Sequence, residues 1–353
     1  MSPLEYTRKQ RKKRTGIITA LVCAVVLFAF VCLFVGSSDI SVSEGVSALF
    51  GGGTPAHRRI MLHIRLPRVF AAIIAGAGLS VSGLIMQTVL GNQMASPSTL
   101  GVSNAAVFGA NLSIIALAGG FLTTGNNPAD LTLGADPYMT GTLAFLFSTL
   151  SVLLILSLCR IRAFTPSVVV LSGIALGSVF TAATTILQFY ATDVGLSAAV
   201  VWSFGDLSRA TFTTNTIMGI TVLSGVVFFT LMSWKYNVLL GGEATAKSLG
   251  VKVTALRFSS LLIASLITAV CVSTLGIIGF VGIICPHVAK KLLGADHRIT
   301  VPASVLLGSL LLLLSDTLSR TVGGGSALPV GAITSLLGAP FFIAVIFSKR
   351  RAD

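Results

Sequence analysis

Cys285, Pro286 and His287 stand in a row inside "GFVGIICPHVAKKLLGADHR" (279–298), where an apolar run meets a cluster of charge. A thiolate and an imidazole two residues apart are both donors for a soft metal. A structural zinc site takes four ligands, and no second Cys or His pair accompanies these two at ligand spacing. The other reading is architectural. Pro286 loosens a helix near the membrane surface, and His287, Lys290 and Lys291 reach the interface. That reading is favoured, and no metal site is expected. The five cysteines (23, 32, 159, 271, 285) lie in apolar stretches without CxxC spacing and read as small apolar residues.

"GGEATAKS" (241–248) is close to the phosphate-binding loop GxxxxGK[ST], with Ala246 at the place of the last glycine. The stretch 235–257 between its flanking apolar runs is too short to hold the parallel sheet that positions such a loop. No nucleotide site and no cofactor are therefore expected on this chain. "EATAKSLGV" (243–251) reads instead as one or two short helices. Ala244, Ala246, Leu249 and Val251 would offer small and apolar surface to a protein partner.

Charge is scarce within the apolar runs. Asp316 and Arg320, four apart, are expected to pair. Gln87 and Asn92 flank the end of another run. A secondary transporter needs an ionisable residue along its path, and none falls mid-membrane. A polytopic membrane enzyme needs His, Asp or Cys clustered at one depth, and a channel needs ring-forming charges or a filter loop. The sequence carries neither pattern, so the energy source is expected on another chain.

The elements that position these residues are membrane helices. The chain has 353 residues, 54% hydrophobic and 10% charged, with a mean hydropathy of +0.94. A soluble domain carries about 25% charged residues. The fold class is all-α and polytopic, with ten spans near 16–36, 69–91, 100–120, 138–159, 168–192, 213–234, 258–275, 278–293, 299–318 and 329–348. Phe258 to Ala289 has no acid or base except His287. As one helix it would reach about 48 Å, well past a bilayer core. Gly276, Gly279 and Gly282 predict a tight turn between two crossings. The domain reading is a basic tail (1–15), one membrane domain (16–348) with a loop at 235–257, and a short tail (349–353).

The basic run "RKQRKKR" before span one places the N-terminus in the cytoplasm. Ten spans then return the C-terminus to the same side. With that orientation 18 of the 24 Lys and Arg fall inside, but only four of the 11 acids. The net charge of +13 is thus mostly topology and does not argue for nucleic-acid binding. "HRRIMLHIRLPR" (57–68) departs from the rule, with four arginines on the outer side. It reads either as interfacial anchoring or as a docking surface for an acidic partner.

The chain resembles the permease subunits of the iron-siderophore, haem and vitamin B12 family of ABC importers, called type II importers. The motifs are "RLPRVFAAIIAGAGLSVSGLIMQ" (65–87), "SPSTLGVSNAA" (96–106), "LSGIALG" (171–177), "GGEATAKSLGV" (241–251), the 279–298 stretch and "LPVGAITSLLGAPFF" (328–342). The resemblance covers nearly the whole chain. It implies a homodimer in the plasma membrane of a prokaryote, two ATPase subunits that bind the ATP, and an extracytoplasmic substrate-binding protein. Import of a chelated-iron ligand by alternating access is implied, most readily a ferric siderophore, with haem or cobalamin as the alternatives.

The resemblance also implies roles. Arg65, Arg68 and Arg320 match arginines that meet the binding protein. Gly242, Glu243, Ala246, Leu249 and Gly250 match the loop that docks on the ATPase. Thr165, Pro166 and Ser167 fall at the cytoplasmic gate. Pro286, His287, Asp296, His297 and Arg298 match a cytoplasmic-face signature. Two departures stand out: Gln93 and Met94 replace a usual Pro-Leu, and Ala327 replaces a usual Glu.

Overall fold

The computed structural model describes residues 3–36, 40–118, 136–162, 165–322 and 328–349. Ala327 and the tail beyond residue 349 lie outside them. The regular elements of the described chain are helices: α1 (Pro3–Phe34), α2 (Val42–Leu49), α3 (Pro55–Arg59), α4 (Leu66–Val89), α5 (Val102–Asn111), α6 (Pro137–Arg162), α7 (Pro166–Phe189), α8 (Asp193–Ser203), α9 (Phe212–Leu231), α10 (Ser233–Leu240), α11 (Glu243–Ser248), α12 (Val253–Leu275), α13 (Val281–Leu293), α14 (His297–Val322) and α15 (Val330–Lys349). A helix stands at each of the ten predicted spans. Seven are long and apolar enough to cross a membrane by length and composition. Four short helices, α2, α3, α8 and most of α10, fall where the sequence predicts only loops.

Side-chain caps fix several starts. Ser41 and Glu44 form a reciprocal capping box on α2, and Thr192 and Thr211 cap α8 and α9. Stops are set by glycine. Gly91 follows α4 at φ +59°, where its N–H reaches the Thr88 carbonyl and the Asn92 N–H reaches that of Gln87. That is a Schellman stop, which needs the left-handed conformation glycine adopts without strain.

Helix α4 is the axis of the bundle. Nearly all of its residues are buried, and α9, α12, α13 and α14 pack around it. Lipid tails are as apolar as leucine, so close backbone approach rather than hydrophobicity holds such helices together. Small residues permit that approach. A Cβ at Gly76 would fall on the carbonyl of Gly308 in α14, and one at Gly83 on that of Gly282 in α13. Ser80 donates to the Ser304 carbonyl at 2.7 Å and Ser309 to that of Ile73 at 2.8 Å, adding cross-helix hydrogen bonds. Helices α5, α6 and α7 form a second group, and α1 packs on α14.

The predicted break between spans seven and eight is present. Helix α12 ends at Leu275, Gly276 takes φ +80°, and Phe280 starts α13 at φ +65°. With 13 residues, α13 covers only ~20 Å of a ~30 Å core. Non-helical backbone at membrane depth must find partners within the protein, and here three irregular segments supply them. The Asp206 N–H reaches the Leu275 carbonyl and the Val330 N–H reaches Gly205, both at 2.8 Å. Phe204 and Ile277 form an isolated parallel bridge.

Candidate functional site: the two polar ends of the bundle

Polar side chains gather at both ends of α4. The end that carries α10, α11 and the lysines of α13 is called the basic end. There α11 is a single short helix bracketed by two glycines with positive φ, Gly242 (+103°) and Gly250 (+80°). The N–H groups of Gly250 and Val251 reach the carbonyls of Lys247 and Ala246, a second Schellman stop. Ala246 and Val251 are buried and anchor the helix, while Leu249 is exposed. Glu243 bonds Lys247 at 2.8 Å and Arg257 at 2.9 Å. These two partners hold its carboxyl below the usual 4.5. The stretch that resembles a phosphate loop is thus a docked helix.

Arg257 of α12 is buried, and its Nε donates to the Val89 carbonyl at the end of α4, 3.0 Å away. Its neighbours on α4 are held as well. His297 Nε2 lies 2.8 Å from Thr88 Oγ1, and Lys290 Nζ donates to Gln87 Oε1 at 3.0 Å. Gln87 in turn donates to the Gly282 carbonyl at 3.2 Å. Three consecutive residues, Gln87, Thr88 and Val89, are therefore gripped by α13, α14 and α12. Arg257 and Lys290 bring positive charge to this C-terminus, where the helix dipole favours cations.

Within the 279–298 signature, Asp296 and His297 have structural tasks. Asp296 starts α14: its carbonyl accepts from Thr300 at 2.8 Å and its carboxylate from the Arg298 N–H at 3.1 Å. Asn237 of α10 donates to Asp296 at 2.6 Å and accepts from the His297 N–H at 2.8 Å. The His297 ring, 2.9 Å from the same Asn237 oxygen, is buried against Tyr236. Arg298 is exposed. Pro286 is buried within α13, and the partly exposed His287 ring stands edge-on to Phe341. Cys285 is buried. Among the described residues no three His, Cys, Asp or Glu side chains come together at metal-ligand distance. Asn237, Arg257 and Thr88 were not singled out from the sequence. Each is one polar residue beside an apolar run, and its partners lie far away in the chain.

Thr165 is the N-cap of α7, its hydroxyl accepting from the Val168 N–H at 3.4 Å, with Pro166 at the first helical position. Thr165 and Ser167 are exposed. Beyond them α7 shows an uncovered face with Leu171, Ile174, Val179 and Ile186. A groove of about 570 Å³ runs between this helix and α5, lined by Val170, Ile174 and Ala182 together with Ser98, Asn104 and Thr181. The Gln93 and Met94 departure lies in the exposed turn after Gly91, where Asn92 Oδ1 accepts from the Met94 N–H at 2.9 Å.

At the opposite end Arg65, Arg68 and Arg320 have partners within the chain. Arg65 and Arg68 are buried. Arg68 Nε meets Asp316 Oδ1 at 2.6 Å, and Arg320 Nε lies 3.0 Å from Asp316 Oδ2, so the expected pair becomes a triad. Arg320 also donates to the carbonyls of Val35 and Cys32, and Arg65 to those of Leu33 and Phe34, at 2.7–3.2 Å. A helix end leaves its last carbonyls unpaired, and two guanidinium groups satisfy those of α1. The side chains expected to face a partner are turned inward to hold α1, α4 and α14 together. The exposed arginines of the 57–68 stretch are Arg58 and Arg59.

The architecture has known counterparts. A profile of the FecCD transport family matches residues 21–348. A Methanocaldococcus jannaschii protein named as an ABC transporter permease is 43% identical over 344 residues, 97% of this chain and 96% of its own. The hemin transport system permease protein HmuU of Yersinia pestis is 33% identical over 334 residues, 94% and 96% of the two chains. A solved structure described as an inward-facing metal-chelate type ABC transporter superposes with a TM-score of 0.81 at 26% identity, covering 95% of this chain and 99% of that one. This polytopic membrane protein is a transport permease, and it belongs to the FecCD transport family.

Proposed function

We propose that the protein is the membrane subunit of an ATP-driven importer that carries a chelated-iron ligand, a ferric siderophore, across the plasma membrane of a prokaryote. The observation that carries this reading is the family match along 21–348. In it the basic end faces the cytoplasm with both termini, and ten helices span the bilayer. Two ATPase subunits dock on the 235–257 loop through the exposed Leu249, and an extracytoplasmic binding protein delivers the ligand to the opposite end. Two copies of the chain enclose the path. The uncovered apolar face of α7 supports that arrangement, because a second copy of the chain would cover it. ATP binding on the partner rocks the helices between two states, and Thr165, Pro166 and Ser167 lie at the inner mouth. Haem is the second ligand reading, favoured by the 33% identical relative named for hemin transport. Cobalamin is the third.

The test is reconstitution of permease, ATPase and binding protein in liposomes, with ferric siderophores, haem and cobalamin offered in turn. Ferric siderophores are expected to stimulate ATP hydrolysis and to accumulate inside. Accumulation driven by an ion gradient without ATP would contradict the proposal.

A further inference from the structure

Arg257 stands between two elements that must move together in an ATP-driven transporter. One side of its guanidinium bonds Glu243 on α11, and the other caps the last carbonyl of α4. Counting the carbonyls at that end shows why the second contact matters. Those of Met86, Gln87 and Thr88 are met by the N–H groups of Leu90, Asn92 and Gly91. Val89 is met by Arg257. Arg257 therefore joins α11 to the end of the central helix by hydrogen bonds on both sides, beside the packing of α10 on both helices, and α4 carries the displacement along ~36 Å of regular helix. At its far end α4 is held by the pair of Arg68 with Asp316.

We propose that Arg257 is the positioning residue through which α11 drives α4, so that it sets how much ligand moves per ATP hydrolysed. The inference rests on the ATP-driven reading above. Lys290 and His297 grip the same turn of α4 from α13 and α14, but neither shows a bond to α11. Glu243 is itself part of the linkage, with its carboxylate directed at Arg257 while Leu249 faces outward.

The experiment is reconstitution of the full complex with wild-type, Arg257→Lys, Arg257→Gln, Glu243→Gln and Glu243→Gln/Arg257→Lys chains. Uptake of whichever of a ferric siderophore, haem or cobalamin stimulates the wild-type complex, and ATP hydrolysed, are measured in the same vesicles. Import per ATP is expected to fall at least tenfold in Arg257→Gln. Arg257→Lys should lose less, because an ammonium still donates to one of the two acceptors. The double variant should fall no further than the worse single one, because both changes break one link. A wild-type ratio in Arg257→Lys and Glu243→Gln would overturn the inference, as would additive losses, which would mean that Glu243 acts directly on the ATPase. Glu243 is exposed, so its variant decides the matter if Arg257→Gln fails to fold. Wild-type vesicles that hydrolyse no ATP would instead sink the importer reading, which keeps the two failures distinct.

Discussion

Arg68 on α4 and Asp316 on α14 meet at 2.6 Å in a buried pocket, with Arg320 3.0 Å from the second carboxylate oxygen. One acid thus serves two cations. Removing it takes the carboxylate from both and leaves Arg320 only its carbonyl partners on the α1 end, whereas removing Arg68 leaves the pair of Asp316 with Arg320 intact. Breaking a buried ion pair by deleting one partner costs about 3–5 kcal/mol. Asp316→Asn should fall in that range, and Arg68→Met should cost less. Thermal unfolding in detergent checks the order, and an equal or reversed order would mean that Arg320 does not depend on Asp316.

Inward-turned arginines change the expected docking surface. Reversing charge at Arg58 and Arg59 should weaken capture of the binding protein, more so at low salt, where exposed charges act over longer distances. Binding measured at several ionic strengths is the check. An unaltered affinity throughout would remove these two residues from the interface.

Close packing at Gly83 predicts a steric effect. Its missing Cβ makes room for the Gly282 carbonyl, so Gly83→Ala must push α13 away from α4. Overpacking of this kind costs about 1–3 kcal/mol. A lowered unfolding temperature is expected, and Gly219→Ala is the control, since its nearest contact would be a single side-chain atom at 3.6 Å.

The position of Glu243 gives a pH signature. Its carboxyl lies below its ordinary 4.5 because of Lys247 and Arg257. A depressed acid contributes stability that is fully present above its unfolded value and lost as pH falls through the folded one. Amide exchange across 243–248 should be steady from pH 7 to 5 apart from intrinsic rates, and protection should fall below 4.5. Glu243→Gln should remove that fall.

Asn237 predicts a local hinge. It bonds the carboxylate of Asp296 and both the N–H and ring of His297. Replacement by Ala leaves these buried groups short of partners at about 1–3 kcal/mol. Faster amide exchange at the start of α14, with α6 unaffected, is the expected result.

Much of the fold was legible because the membrane imposes it. Apolar run lengths located a helix at each expected place, seven of them long and apolar enough to cross a membrane among the described residues, and three glycines located the break before α13. The pattern "SLGV" (248–251) already held the stop of α11, since a glycine after a short helix supplies the left-handed residue a Schellman motif needs. Facing was not legible. Sequence position put Arg65, Arg68 and Arg320 at one end of the bundle. Nothing in the spacing showed that the α1 carbonyls and Asp316 would claim them first. The grip on Gln87, Thr88 and Val89 was invisible for a related reason. Its partners are 168 to 209 positions away, so no local pattern joins them. Helix α8 was missed because a helix of 11 residues is too short to leave the apolar run length of a span.

The central claim is that this chain is one half of a permease whose motor is a separate protein. Native mass measurement of the tagged complex, extracted from its own membrane in mild detergent, tests it most directly. The account predicts two copies of this chain with two copies of an ATPase. A chain that runs alone or as a bare dimer, under conditions that keep a control importer intact, would contradict it.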